Sequence, residues 1–71
     1  MFIELINNRG EKVFVRPKEI RWAKVEKLES SYCGNFVIEN EDFYSEETFN
    51  TSAGAENFIK ETLNAKDKED L

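Results

Sequence analysis

The chain has 71 residues, of which 39% are hydrophobic and 35% are charged, and its formal net charge is −5. A chain of this length forms one small domain that buries only about 60% of its unfolded surface, so a second domain is excluded. The sequence contains no histidine and a single cysteine, which excludes imidazole catalysis, histidine-ligated metals and an internal disulfide.

The first predicted element is a β-hairpin. Residues 2–6 and 13–15 are rich in aromatic and β-branched side chains, and the Asn and Gly residues in the segment 7–10 tolerate positive φ. Alternation along both strands directs Glu4 and Phe14 to the face opposite the apolar residues. We therefore expect a half-buried antiparallel pair in this part of the chain.

The next segment allows two structures. Pro17 ends the second strand, because it lacks a backbone N–H and has a fixed φ. The Lys, Glu, Ala and Leu content of residues 18–29 favours a helix, whereas their apolar positions spread over about half of a helix circumference and favour a strand. The strand is preferred, and it places Ile20 and Trp22 on one face. Residues 30–35 are predicted as a connection.

A second hairpin is predicted between residues 36 and 49. Residues 36–38 are apolar and β-rich, Glu41 and Asp42 are predicted as a tight turn, and residues 43–49 alternate well enough to return as a strand.

The last predicted element is an amphipathic helix of about fourteen residues. From Ser52 the apolar period changes from two to 3.6. Ser52 is the predicted N-cap, and Glu56 lies in the first turns, where the helix dipole favours an acid. Residues 67–71 have no apolar period and are expected to fray. The apolar face of the helix consists of Ala55, Phe58, Ile59, Thr62 and Leu63.

Together these elements predict an α+β fold, in which a small antiparallel β-meander of four or five strands packs on one C-terminal helix. The single domain covers residues 1–66 and is followed by the charged tail over residues 67–71. A ββαββα arrangement with a helix over residues 18–28 is the alternative. The predicted core consists of Ile3, Leu5, Val13, Val15, Ile20, Trp22, Phe36, Ile38, Phe49, Phe58, Ile59 and Leu63.

Charge is unevenly distributed along the chain. Residues 1–27 carry seven bases and four acids, a net charge of +3, whereas residues 28–71 carry three bases and eleven acids, a net charge of −8. Unless the fold interleaves these two segments, we expect a protein with one basic and one acidic side.

The second hairpin concentrates five acids and two aromatic residues. Side chains two positions apart share a strand face at a spacing of about 7 Å, comparable to that of phosphates along a nucleic-acid strand. This pattern predicts a nucleic-acid mimic that docks into the basic groove of a larger protein, such as a nucleic-acid-binding enzyme. The alternative is a solvated face that maintains solubility. The predicted partner-binding residues are Glu39, Glu41, Asp42, Phe43, Tyr44, Glu46 and Glu47, with Phe43 or Tyr44 as an aromatic anchor.

No catalytic, metal or cofactor site is predicted. Cys33 has no histidine to lower the pKa of its thiol, and we expect it in a loop or at a sheet edge. Several bases surround Trp22, but Glu19 and Glu26 dilute this patch, and Trp22 is more typical of a core. Direct nucleic-acid binding is not expected for a chain with a net charge of −5.

The order of elements resembles that of the small flagellar FlbD family. The shared features are an apolar first strand, the Asn-Arg-Gly turn at residues 8–10, a β-rich return that leads through Pro17 and Ile20 into a third strand, and a final strand that leads through Ser52 into a helix. The resemblance implies a cytoplasmic, non-enzymatic accessory protein without catalytic residues. It also supports a strand over residues 20–28.

These observations predict a non-enzymatic protein-interaction module with no cofactor and no membrane partner. Two classes stay open. One is a bacterial or phage-type regulator or inhibitor that binds through its acidic hairpin, and the other is an accessory or structural protein of the FlbD type that binds through its sheet face. The single cysteine, and an apolar N-terminal run interrupted by Glu4, predict a cytoplasmic location.

Overall fold

Five antiparallel strands and one helix make up the fold. A computed structural model describes residues 2–69, apart from the side chains of residues 66–69. The predicted α+β class, an antiparallel sheet packed on one C-terminal helix, is confirmed. The elements are β1 (Ile3–Ile6), β2 (Lys12–Val15), a 3₁₀ turn (Pro17–Glu19), β3 (Trp22–Lys27), β4 (Tyr32–Ile38), β5 (Glu41–Ser45) and α1 (Ser52–Glu69).

The strands form one sheet in the order β2-β1-β5-β4-β3. The predicted N-terminal hairpin is confirmed, with Ile3 opposite Val15 and Glu4 opposite Phe14. β3, β4 and β5 form a meander, and β5 then pairs with β1 at two positions only, Leu5 with Ser45 and Ile6 with Tyr44. This short pairing joins the two halves of the sheet.

The helix covers one face of the sheet and closes the core. Leu5, Ile20 and Phe36 are almost completely buried there, together with Ala55 and Ile59 from the helix. Burying one such aliphatic or aromatic side chain contributes about 1.5–3 kcal/mol, so these contacts are the main source of stability. The partly buried residues around this cluster are Ile3, Val13, Val15, Ala23, Val25, Phe58 and Leu63.

Two predictions about which residues form the core need correction. Trp22 is 51% exposed, because the 3₁₀ turn before β3 directs Ile20 inward and the alternation begins anew in the strand. Phe43 is buried in the core and was assigned instead to a partner-binding surface. Phe49, a predicted core residue, is partly buried and packs on Phe58 with 5.6 Å between ring centroids.

The turn of the second hairpin lies two residues earlier than predicted. Ile38 pairs with Glu41, which leaves Glu39 and Asn40 as a two-residue loop with φ of 50° and 73°. Both residues adopt the left-handed backbone conformation, as a type I′ hairpin turn requires. Glu41 and Asp42, which were predicted as the turn, instead begin β5.

The segment between β3 and β4 is also shorter than predicted. The Leu28 N–H donates to the Ser31 carbonyl at 2.8 Å, so a tight turn takes the place of the predicted connection over residues 30–35. β4 begins at Tyr32 and therefore includes Cys33. The preferred strand is confirmed by β3, and the alternative helix over residues 18–28 is wrong.

The helix is longer than predicted and has a different cap. It spans eighteen residues, and the Gly54 N–H donates to Thr51 Oγ1 at 3.1 Å. Thr51, one residue before the predicted Ser52, is therefore the N-cap. Glu56 lies beyond the first turn, which contains no acid. The predicted tail lies partly outside the described residues, and within them the helix backbone continues to Glu69.

The two faces of the sheet predict a large loss of stability for one Phe→Ala substitution and a small loss for another. Phe36→Ala is expected to lower the free energy of unfolding by about 3–5 kcal/mol, because it leaves a cavity under the helix. Phe14→Ala removes a ring that is 62% exposed, and its expected effect is below about 0.5 kcal/mol. Urea unfolding followed by circular dichroism measures both. Equal losses would contradict the assignment of the two faces.

The type I′ turn predicts that an Asn-Gly pair stabilises the second hairpin. The double variant Glu39→Asn, Asn40→Gly is expected to raise the free energy of unfolding by about 1 kcal/mol, because left-handed φ costs ordinary residues about 1–2 kcal/mol and glycine far less. Asn40→Val serves as the opposite control and is expected to destabilise. A double variant with a lower urea midpoint than the parent protein would refute this turn geometry.

Candidate protein-interaction surface

The helix leaves the second face of the sheet uncovered. Side chains alternate along each strand, so the pairing registers specify which residues point away from the helix. We call this surface the open face. It consists of Phe2, Glu4 and Ile6 around β1, Lys12, Phe14 and Arg16 around β2, Trp22, Lys24, Glu26 and Leu28 around β3, Cys33, Asn35 and Val37 in β4, and Asp42 and Tyr44 in β5.

All four large hydrophobic residues that are exposed in the described chain lie on the open face. Phe2 is 59% exposed and Phe14 62%, and both lie on the β1–β2 side of the face. Trp22 is 51% exposed and Leu28 39%, and both lie on the β3 side. Scattered apolar residues on a surface are ordinary, but their concentration on one face is typical of a contact surface.

Two of these rings are accompanied by cations. The Arg16 guanidinium lies 5.3 Å from the centroid of the Phe2 ring, and the Lys24 ammonium lies 5.9 Å from that of Trp22. At exposed positions such contacts contribute about 0.5–1 kcal/mol, enough to favour one orientation of the side chains. Both edges of the open face thus present an aromatic ring beside a positive charge.

The centre of the open face is buried by its own side chains. Cys33, Asn35 and Val37 are buried although no helix covers them. The Asn35 amide donates to the Phe43 carbonyl at 3.1 Å and to Asp42 Oδ1 at 3.3 Å, so its polar atoms are satisfied. β4, which lies between β5 and β3, is therefore buried on both of its faces.

Cys33 lies in a shallow pocket rather than in a loop or at an edge. The pocket has a volume of about 380 Å³, and its apolar walls include Ile6, Leu28 and the ring of Tyr44. Burial, with a smaller contribution from Glu26, raises the pKa of the Cys33 thiol above its ordinary value. Burial is also the main cause that raises the pKa of Tyr44. Both groups are neutral at pH 7, and neither is activated as a nucleophile.

The structure does not bring the predicted partner-binding acids onto one face. Asp42 and Tyr44 lie on the open face, whereas Glu41 points to the helix side and Glu39 lies in the turn. Phe43 is buried in the core and is not available as an anchor.

The end of β5 separates the remaining two acids from the hairpin. The strand stops at Ser45, and Glu46 and Glu47 follow in a bend. Glu46 Oε1 lies 2.8 Å from Lys12 Nζ, and this hydrogen-bonded ion pair raises the pKa of Lys12. The five acids therefore do not share one surface, although Glu39, Glu41, Glu46 and Glu47 are exposed.

The sheet order also removes the predicted separation of charge. Acidic β5 lies between β1 and β4, while β2 and β3, which carry many of the bases, form the two edges of the sheet. Topology therefore interleaves the two segments, so the condition for one basic and one acidic side is not met.

This chain shows no similarity to known proteins that would identify its family. No protein-family model, curated protein or solved structure matches this chain, so the FlbD resemblance stays a prediction. Within residues 2–69 no cluster of three or more of the described His, Cys, Asp or Glu side chains, which excludes those of residues 66–69, has an arrangement that could hold a metal ion. None of the helical segments in that range is both long and apolar enough to cross a membrane.

Burial of the thiol predicts slow and pH-shifted alkylation of Cys33. Alkylation requires the thiolate, so the native protein is expected to react with iodoacetamide far more slowly than the urea-unfolded chain. The midpoint of its rate against pH should lie above that of the unfolded chain. A raised pKa means that the folded state holds this proton more tightly, so stability is constant below the ordinary thiol pKa and falls as pH rises through it. Equal rates at pH 8 for the native and unfolded protein would show that the pocket is open.

Proposed function

We propose that this protein is a small non-enzymatic interaction module that docks on a larger protein through the open face. The observation that carries the proposal is that the four large hydrophobic residues exposed in the described part of the chain all lie on this face. Docking would bury Trp22, Phe14 and their neighbours against a partner. Truncation of an aromatic anchor of this kind commonly costs about 2 kcal/mol or more of binding free energy.

The charges of the open face favour a protein partner over a nucleic acid. Lys12, Arg16 and Lys24 lie on its two edge strands, and Glu4 and Asp42 lie between them. Binding to a phosphate backbone is supported by one sign of charge, whereas a mixed polar surface around apolar anchors is typical of protein interfaces. An accessory or structural protein that binds through its sheet, as the FlbD resemblance implies, is one form of this function.

A nucleic-acid mimic remains the second candidate. The exposed carboxylates of Glu39 and Glu41 at the end of the second hairpin support it. The burial of Phe43 and the pairing of Glu46 with Lys12 remove part of the predicted surface, so the geometry supports the open face better. The bacterial or phage-type inhibitor that this candidate implies would bind by salt-sensitive contacts with a basic groove.

Capture from a lysate of the source cells distinguishes the two candidates. The tagged parent protein is compared with an open-face variant, Phe14→Ser with Trp22→Ser, and with a hairpin variant, Glu39→Lys with Glu41→Lys. We expect the open-face variant to lose the captured partner at both low and high salt, because apolar contacts carry the binding. The hairpin variant should retain it.

The opposite pattern would contradict docking through the open face. Retention by the open-face variant, together with a salt-sensitive loss in the hairpin variant, would instead support the mimic. Both variants replace exposed side chains, and unchanged amide spectra and urea midpoints confirm that each is folded before capture.

A further inference from the structure

β3 forms one edge of the sheet. It pairs with β4 on one side and has no strand on its other side within the described chain. Its residues, Trp22–Lys27, include neither proline nor glycine, the residues that commonly interrupt an edge strand. A regular edge strand presents unpaired backbone groups with which another strand can pair. β3 can therefore accept a further strand.

The backbone groups of every second residue in β3 point out of the sheet. The Gly34 N–H donates to Ser45 Oγ of β5 at 2.9 Å, so Gly34 does not bond to Val25, its opposite residue in β3. The Leu28 N–H donates to the Ser31 carbonyl at 2.8 Å, and these two residues continue the β3–β4 register as a hydrogen-bonded pair. Hydrogen-bonded and non-hydrogen-bonded pairs alternate in an antiparallel ladder. The residues whose N–H and C=O groups point away from β4 are therefore Ala23, Val25 and Lys27.

The side chains that β3 contributes to the open face are complementary to themselves. Trp22, Lys24, Glu26 and Leu28 follow one another along this side, in the order apolar, basic, acidic, apolar. Neither Lys24 nor Glu26 forms an ion pair with another described side chain. An antiparallel copy of the strand presents the reverse order, so apolar residues meet apolar residues and each base meets an acid.

We propose that the protein forms a two-fold symmetric dimer in which β3 pairs antiparallel with β3 of a second copy. The pairing is centred on Val25. It sets Lys24 opposite Glu26 of the second copy, and Trp22 opposite Leu28 of the second copy. The two five-stranded sheets then form one continuous sheet.

Backbone geometry and charge together specify this register. Outward-pointing residues must face one another, which allows centres at Lys24, Val25 and Glu26 near the middle of the strand. A centre at Lys24 or at Glu26 sets that residue opposite its own copy, and like charges that are directly opposed are destabilising. The centre at Val25 avoids this repulsion, and it pairs Ala23 with Lys27 of the second copy. Each of these outward pairs exchanges two hydrogen bonds.

The position of the helix is compatible with this pairing. α1 packs over β3 and β4, and Glu56, Ile59 and Lys60 border a groove of about 220 Å³ beside Ala23 and Val25. Because strands lie about 4.8 Å apart, a helix centred over β3 and β4 lies about 10 Å from its symmetry mate. Packed helices are about 8–10 Å apart, so the two antiparallel helices meet above the joined strands.

β2, the other edge of the sheet, does not offer the same match. It is shorter than β3, and Pro17 follows soon after its end. The Lys12 ammonium is already paired with Glu46. A symmetric pairing centred on Phe14 would set Lys12 opposite Arg16 of the second copy, and this like-charge contact is destabilising.

Sedimentation velocity at a series of protein concentrations tests the proposal. We expect a dimer with a Kd of about 0.1 mM or tighter, since small interfaces of this kind are weak. Lys24→Glu and Glu26→Lys each create two like-charge contacts across the symmetry axis, and each is expected to weaken the dimer at least about tenfold. The double variant Lys24→Glu, Glu26→Lys restores both opposite-charge contacts and should dimerise as the parent protein does.

Two further samples make the charge test specific. An equimolar mixture of the Lys24→Glu and Glu26→Lys variants should form a heterodimer, because every contact across the axis then joins opposite charges. Arg9→Glu and Glu39→Lys are comparable charge reversals in exposed turns, and they should leave the dimer unchanged.

Amide hydrogen exchange tests the strand pairing itself. When the dimer is populated, the N–H groups of Ala23, Val25 and Lys27 should exchange at least about fivefold more slowly than in dilute monomer. The N–H groups of Lys24 and Glu26 bond to β4, so their exchange should not depend on concentration.

Phe14→Ser separates this dimer from docking through the open face. The inference goes beyond that docking, because it concerns an edge of the sheet. Phe14 lies on β2, at the opposite edge from β3, so its replacement should leave the dimer unchanged. A dimer lost in this variant would mean that two copies meet through the open face, and it would overturn the proposal.

Three other results would also overturn it. They are a parent protein that stays monomeric up to about 1 mM, a double variant that does not recover the dimer lost in the single variants, and equal weakening by the single variants and the turn controls. Amide spectra and urea midpoints confirm that each variant is folded before it is compared.

Discussion

The close packing of one helix on one face of the sheet is the constraint on which the rest of the structure depends. Gly34 in β4 permits it, since a Cβ at this position would lie 3.0 Å from Cε2 of Phe36 and 3.3 Å from Cγ1 of Ile59. The helix side chains therefore reach the sheet over its most buried strand. Most of the stability of a helix in a protein comes from packing of its apolar face, and contact with the sheet supplies that packing here.

With one helix in the described chain, the second face of the sheet has to bury its centre with its own side chains. Cys33 and Asn35 are buried in this way, and the Asn35 amide is satisfied by bonds within the sheet. The same arrangement leaves rings exposed at both edges of that face, including Phe14 and Trp22. Exposed aromatic rings that are concentrated on one face are typical of a contact surface.

The sequence allowed the first hairpin and the faces of its side chains to be predicted, because apolar alternation places Ile3, Leu5, Val13 and Val15 on one side and Phe14 on the other. It did not predict the exposure of Trp22, because the 3₁₀ turn resets the alternation and its effect depends on tertiary packing. Cys33 was misplaced for a related reason. Its small and polar neighbours, including Gly34, are typical of a connection, yet the approach of the helix requires a small residue inside the strand. Of these two rings, the exposure of Phe14 was therefore predictable and that of Trp22 was not.

The positions of the acidic residues show most clearly that closeness in sequence does not predict which side chains share a surface. The acids of the second hairpin lie within nine residues of the sequence, but Glu39 lies in the hairpin turn, whereas Glu46 and Glu47 follow the end of β5 in a bend. Neither location depends on the net charge of the chain. Phe2 and Phe14, which belong to the open face, also line a cleft of about 550 Å³ together with Glu46, Glu47 and Phe58. The acids that follow β5 therefore border the apolar part of the open face, a position that their place in the sequence does not indicate.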